Sequence, residues 1–106
     1  MSGLDRNGYA PSIVQEDMSC CYVCGLSDEK LDRHEVWGGS NRQKSKALGL
    51  WVNLCHNRCH LYGVHKSPAE FAWMKEEAQR RAMETYGWTK EDFIREFGKS
   101  FVEVEE

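Results

Sequence analysis

Two cysteine pairs constrain this chain more than any other feature. Cys21 and Cys24 lie in Cys-Tyr-Val-Cys-Gly, and Cys55 and Cys59 lie in Leu-Cys-His-Asn-Arg-Cys-His. Zinc takes four thiolate or imidazole ligands in a tetrahedron, usually in a closed structural site. A Cys-x-x-Cys turn offers two sulfurs from one side, and on a helix Cys55 and Cys59 would share a face and offer two more. At 106 residues the chain reads as one domain, of a size often steadied by a metal or by disulfides. Its cysteines number five, and the odd count disfavours a disulfide framework. Where thiols stay reduced, paired cysteines point to metal. The plainer alternative is four free thiols packed as small hydrophobes, and the pairing outweighs it. The wider spacing of the second pair leaves His56 and His60 as alternatives to Cys59 for the fourth ligand. Cys20 is either a spare thiol or an alternative to Cys21.

The rest of the chain divides around these pairs. Residues 1–17 are polar and aperiodic and read as a flexible arm. Residues 18–66 read as a zinc-stabilised module. Its first turn is of the knuckle type, with Gly25 after the second cysteine, where a residue without a side chain lets the backbone turn toward the sulfurs. A short strand is expected over 31–37, a turn at Gly38-Gly39-Ser40-Asn41 and a basic loop over 42–46. A second strand is expected over 48–54, where Leu50, Val52 and Leu54 alternate with Trp51 and Asn53, and a helix begins at Cys55. Residues 67–106 read as a helical extension. Ser67-Pro68-Ala69-Glu70 has the form of a capping box. Phe71, Met74, Ala78 and Ala82 follow at helical spacing through Tyr86, and Gly87 stops the helix. A second helix starts near Thr89, carries Phe93, Ile94 and Phe97, and ends at Gly98. Residues 101–104 are a short strand or a frayed tail. The fold class is small α+β, bound to metal.

Charge is unevenly spread. The net charge of −3 resolves into −4 over residues 1–29, +5 over 30–66 and −4 over 67–106. The positive segment carries Arg33, Arg42, Lys44, Lys46, Arg58 and Lys66, and a local patch of this kind attracts phosphate backbones whatever the global sum. A mixed solvated surface is the equal alternative on charge alone. No apolar leader or bilayer-length run is present, so the expected setting is the cytoplasm, with no membrane.

The four histidines fall within residues 34–65. His56 and His60 are four apart and would form an imidazole edge beside the sulfur edge of the same helix. His34 would approach from the strand, and His65 could approach if Gly63 ends the helix and turns the chain back. An ion held by few protein ligands keeps positions open for water and a phosphate oxygen. His suits a base near neutrality, and Glu35 suits a hard ion such as Mg²⁺ or Mn²⁺. Neighbours on a strand point to opposite faces, so only one of His34 and Glu35 can face the helix.

The combined pattern resembles the HNH nuclease family. It is carried by the Cys-x-x-Cys turn and by Arg33-His34-Glu35-Val36-Trp37-Gly38-Gly39-Ser40-Asn41-Arg42-Gln43-Lys44-Ser45. Gly49-Leu50, Leu54-Cys55-His56, Cys59-His60 and Gly63-Val64-His65 continue it. It is most similar to small phage and prophage members, over roughly residues 20–100. The resemblance implies a ββα-metal fold in which a hairpin and a helix grip one divalent ion, and an activity of nicking or cutting DNA in a bacterial host cell. In the family two residues open the motif, the first a metal ligand and the second the base. His34 and Glu35 stand at those positions, so either Glu35 is the base, or His34 is and the register shifts by one. His60 matches a metal ligand of the family, which makes His34, Glu35 and His60 the catalytic candidates. His34, His56, His60 and His65 are the candidate ligands of a catalytic Mg²⁺, Mn²⁺ or Ni²⁺, beside a structural Zn²⁺ on Cys21, Cys24, Cys55 and Cys59. Asn53 and Asn41 are the two candidates for the family's central Asn. Double-strand cleavage by so small a nuclease would need a homodimer or a phage protein partner. The alternative function is a decayed zinc module that binds DNA or protein in phage recombination, packaging or host interference.

Overall fold

The apolar alternation after Gly49 does build a strand, and in the computed structural model, which describes residues 4–102, it pairs with the histidine-bearing strand. Strand β1 (Leu31–Glu35) and strand β2 (Trp51–Cys55) are antiparallel, with Leu31 opposite Cys55 and Glu35 opposite Trp51. Side chains alternate between faces, so Asp32 and His34 share one face with Leu54 and Val52, their cross-strand partners. Arg33 and Glu35 share the other with Asn53 and Trp51. Leu50, Val52 and Leu54 are all fully buried, as the alternation requires.

The link between the strands departs from expectation. A 3₁₀ turn at Gly39–Asn41 leads into helix α1 (Arg42–Ala47), where a basic loop was expected. The cause is Ser45, which is fully buried in an otherwise polar hexapeptide. Its hydroxyl accepts from the Trp37 amide at 3.2 Å and donates to the Leu50 carbonyl at 2.5 Å, while its own carbonyl accepts from Leu50 N at 2.8 Å. A helical turn is what lets one serine clamp both ends of the link. Leu48 caps this helix and Gly49 turns the chain at φ +79°, so β2 begins at Trp51 and not at residue 48.

After Cys55 the chain forms a π-helix, His56–Val64. The Ser67 capping box is not made: the Ser67 hydroxyl accepts no capping hydrogen bond, and a 3₁₀ turn (Pro68–Phe71) precedes helix α2 (Trp73–Tyr86). The reciprocal box is built instead at Thr89, which exchanges hydrogen bonds with Asp92 at the start of helix α3 (Lys90–Phe97). Gly87 and Gly98 end α2 and α3 in the left-handed region, as expected. Met74, Ala78 and Ala82 of α2 and Phe93 and Phe97 of α3 are buried over the sheet, and Trp37 stacks among Phe93, Phe97 and Phe101 at 4.8–5.5 Å. Buried Gln79 pins the following segment by accepting from Phe101 N at 2.6 Å and donating to Ser100 at 3.0 Å. Residues 103 and 104 of the expected strand or tail lie outside the described residues.

The flexible arm is corrected most plainly. Over residues 8–15 it packs on the sheet and α1. Ala10 N bonds Lys46 O and Ile13 N bonds Gly49 O, both at 2.9 Å, and Trp51 Nε1 reaches Ala10 O at 2.7 Å. Tyr9 and Val14 are buried. Gln15 accepts from Asn53 N at 2.8 Å and donates to Asp17 O and Cys20 O, which joins the arm, β2 and the cysteine turn. The arm lacks periodicity because it is held by backbone and single side-chain bonds. Among the described residues no helix is long and apolar enough to cross a membrane.

Candidate metal centres

The first centre is built of sulfur. Cys21, Cys24, Cys55 and Cys59 place their Sγ atoms within 4.8 Å of one another. A tetrahedral zinc with bonds of about 2.3 Å has sulfur–sulfur edges of about 3.8 Å, and Cys24 and Cys55 stand 3.9 Å apart. The four thiols can therefore hold one metal ion such as zinc, and Cys59, not His56 or His60, is the fourth. All five cysteines are free, and Cys20 lies apart, its thiol 3.7 Å from Asp17 O. Gly25, at φ +76°, sends its amide back to Cys21 O at 2.9 Å and closes the knuckle. Burial pushes the Cys24 thiol up, but bonds from the Leu26 amide, Arg58 and neighbouring thiols outweigh it and bring it to about 7. Burial and the neighbouring sulfurs hold Cys59 far above the usual thiol range. A low-pKa thiol among buried ones is the state from which a cation draws thiolates.

The second centre is built of imidazole. His34 from β1, His60 from the π-helix and His65 just past its end also bring their ligand atoms within 4.8 Å of one another. His60 Nε2 and His65 Nε2 are 3.1 Å apart, close to the edge of about 3.3 Å between two nitrogens on a tetrahedral zinc with bonds of 2.0–2.1 Å. Burial first, and then the charges of His60 and His65, press the His34 pKa down to about 4, so its ring is neutral and free to ligate. His34 is the member of the His34–Glu35 pair that faces the helix.

His56 does not join this cluster. Its Nδ1 meets Asp32 Oδ2 at 2.7 Å, and the same oxygen receives His60 Nδ1 at 2.9 Å. Asp32 therefore fixes the His60 tautomer with Nδ1 protonated and leaves Nε2 for the cluster. Burial raises the Asp32 pKa, but the two imidazole hydrogen bonds outweigh it and the carboxyl titrates below its usual range. Asp32 lies two residues before His34, on the same strand face, so period-two alternation was the signal that could have found it.

Glu35 projects from the opposite face. It accepts from the Tyr9 hydroxyl and, at 3.3 Å, from Arg42 Nε. Burial, then this carboxylate, push the Tyr9 pKa up to about 12. Nothing in the sequence pattern marked Tyr9. Glu35 contributes no ligand to the imidazole cluster, so all three donors are nitrogen. Such a donor set suits Zn²⁺ or Ni²⁺ and fits Mg²⁺ poorly. The two candidate asparagines are structural: Asn53 also donates to Met18 O at 2.9 Å, and Asn41 reaches Phe97 O at 3.3 Å.

A cleft of about 800 Å³ opens beside the imidazoles, lined by His34, His60 and His65 and by Glu35, Tyr9 and Arg42 around the end of β1. The expected phosphate-binding cations are mostly engaged elsewhere. Arg33 pairs with Asp5 at 2.9 Å and lies over Tyr9 and Trp51, Arg42 pairs with Glu35, and Lys44 pairs with Glu96 at 3.6 Å. Arg58 pairs with Asp28 at 2.9 Å and sits 3.6 Å from Cys24 Sγ, where it supports the thiolate cluster. Lys46 is buried with its ammonium 4.8 Å from the Tyr9 ring, and Lys66 is exposed. Arg33, Arg42, Lys44 and Arg58 are thus paired with carboxylates that reach them from outside the segment and within it. No family model, curated protein or solved structure matches this chain.

Proposed function

We propose that this protein is a metal-dependent DNA endonuclease of HNH type, with β1, β2 and the π-helix as its ββα-metal unit. The observation that carries the reading is the convergence of His34, His60 and His65 on one cleft, beside a four-cysteine cluster to which the π-helix contributes Cys59. Zinc on the cysteines would fix the hairpin to the helix. A divalent ion on the three imidazoles would supply Lewis-acid charge to a phosphodiester oxygen. The chain's own part is to hold that position rigidly and to take a proton from the attacking water. Asp32 keeps His60 aimed inward. His34, neutral and half-buried, is a ligand in this reading, which leaves Glu35 as the carboxylate in the cleft that can accept the proton. The water oxygen bonds to phosphorus, its proton passes to Glu35, the P–O bond to the leaving sugar breaks, and the freed alkoxide is protonated by solvent.

One observation favours the second reading, a module that binds DNA without cutting it. Glu35 is already occupied by Tyr9 and Arg42, and both partners would have to yield before it could accept a proton from water. Supercoiled plasmid incubated with zinc-loaded protein and Ni²⁺, Mn²⁺ or Mg²⁺ separates the two. The nuclease reading expects nicking with Ni²⁺ or Mn²⁺, least with Mg²⁺, and loss of nicking in His34→Ala and His65→Ala with zinc content unchanged. Plasmid retained but uncut in every metal, with retention indifferent to Glu35→Ala, supports the binding module. Equal nicking by His34→Ala removes the enzyme reading.

A further inference from the structure

Among the described residues, two cations in the cleft are not matched by carboxylates. Lys75, in the first turn of α2, and Lys99, just past α3, line the cleft together with Phe101 and the three histidines. Both come from the C-terminal segment of net charge −4, so the distribution of charge along the chain does not single them out. Their ammonium groups lie 5.3 Å and 5.2 Å from the centroid of the one Phe101 ring. Among the described residues neither lysine makes an ion pair. The contrast with Arg33, Arg42, Lys44 and Arg58, each paired with an acid, is direct.

We propose that Lys75 and Lys99 are the phosphate-binding edge of the cleft and hold consecutive stretches of a nucleic-acid backbone across Phe101, beside the imidazole cluster. The assignment rests on DNA being the substrate. An aromatic ring holds an ammonium in place without cancelling its charge, and at an exposed position the interaction is weak enough to be shared with an incoming anion. A cation bonded to a carboxylate must first give up that partner. Lysine is a hydrated point charge without the planar fork of arginine, so it suits phosphates presented in varying orientations along a strand. The lysines also sit on the cleft wall, where a bound backbone would pass the three histidines. The basic helix α1 turns its cations toward Glu35, Glu96 and Tyr9 instead.

The test is fluorescence anisotropy of a labelled duplex of arbitrary sequence with the zinc-loaded protein, no second metal added, between about 50 and 300 mM KCl. Removing one phosphate-binding cation should lower the slope of log affinity against log salt by about 0.9 on duplex. Lys75→Gln and Lys99→Gln are each expected to show that decrease and the double variant about twice it. Lys75→Arg with Lys99→Arg should restore the slope, and Lys44→Gln should leave it near wild type. Thermal melting and zinc content identify any variant that misfolds, and the arginine pair then carries the comparison. A double glutamine variant with the wild-type slope overturns the assignment while DNA binding stands, and so does a decrease from Lys44→Gln as large as that from the cleft lysines. A wild-type protein that retains no duplex at the lowest salt overturns the assignment and the DNA reading together.

Discussion

Gly49→Ala probes the one place where the packed N-terminal arm and the strand link meet without room for a side chain. A methyl at position 49 would sit 2.4 Å from Pro11 O and 3.3 Å from Ile13 N, inside normal van der Waals separation. The obstructing atom is backbone, so no rotamer change relieves it. Gly49 also has φ +79°, where alanine costs roughly 1–2 kcal/mol. Moving the arm away gives up at least the Ile13–Gly49 hydrogen bond at 2.9 Å, a further cost of about 1 kcal/mol. It also begins to expose Val14 and Tyr9. The expected total is about 3 kcal/mol, or a fall in Tm of roughly 12–24 °C for a domain of this length. Gly87→Ala is the control. Gly87 has φ +68° with nothing within 4 Å of its added methyl, so it carries the conformational cost alone, about 1–2 kcal/mol. Thermal melts of the two variants, with amide exchange at Ala10 and Ile13, give the answer. Equal losses of stability, or unchanged exchange at Ala10 and Ile13 in Gly49→Ala, would refute the claim that the arm is a seated part of the fold and that Tyr9 is delivered to Glu35 by it.

Two further outcomes are expected of the metal centres. Cys59→Ser should reduce bound zinc by elemental analysis from one equivalent toward none and lower Tm steeply, because a structural zinc contributes on the order of 10–16 kcal/mol against a whole-domain stability of about 5–15 kcal/mol; a full equivalent retained would place the fourth ligand elsewhere. Asp32→Asn should weaken Ni²⁺ binding at the histidine cluster by about 10–100-fold in calorimetry, with zinc content near wild type, and unchanged Ni²⁺ affinity would deny Asp32 any part in orienting His60.

What the sequence could reveal followed from whether an interaction is written in spacing. The cysteine pairs were legible because sulfur ligands must come in close local pairs, and the structure brings all four together. The apolar stripe of α2 and the left-handed glycine stops were legible for the same reason, since each is a local pattern with a local cause. His65 reaches the site by a different route from the one its sequence suggests: Gly63 does not end the helix and turn the chain back, and the π-helix carries His65 there by its pitch. Asp32 was legible in principle, but an isolated acid on a strand is ordinary until its face is compared with that of His34. Tyr9, Ser45, Lys75 and Lys99 were not legible. Each acts through a partner far along the chain or across a turn, such as Tyr9 with Glu35 or Lys75 with Phe101, and no local pattern encodes that pairing. The charge summed along the chain does not show how open the basic segment is, since Asp5, Asp28 and Glu96 reach it through space.

The π-helix ties the two centres into one device. Five residues of α-helix make about 1.4 turns, which would carry His65 well around the cylinder from His60 and away from His34. In a π-helix the backbone bond runs from residue i to i+5, and His65 N does bond His60 O, at 3.1 Å. That pitch stacks the two imidazoles on one side while Cys59, one residue earlier, turns its sulfur toward Cys21, Cys24 and Cys55. Gly63 makes room for the wide turn, since a methyl there would meet Arg58 O at 3.2 Å and the Phe71 ring at 3.4 Å. Long π-helical runs are rare because their hydrogen bonds and packing are poorer than those of an α-helix, so this one needs anchoring from outside. The anchors are the sulfur cluster at its start, the Asp32 carboxylate at His56 and His60, and Phe71 packed beside Gly63. Filling the sulfur centre would therefore stiffen the pitch on which the imidazole cluster depends, because one overwide helix links the two groups of ligand-type side chains.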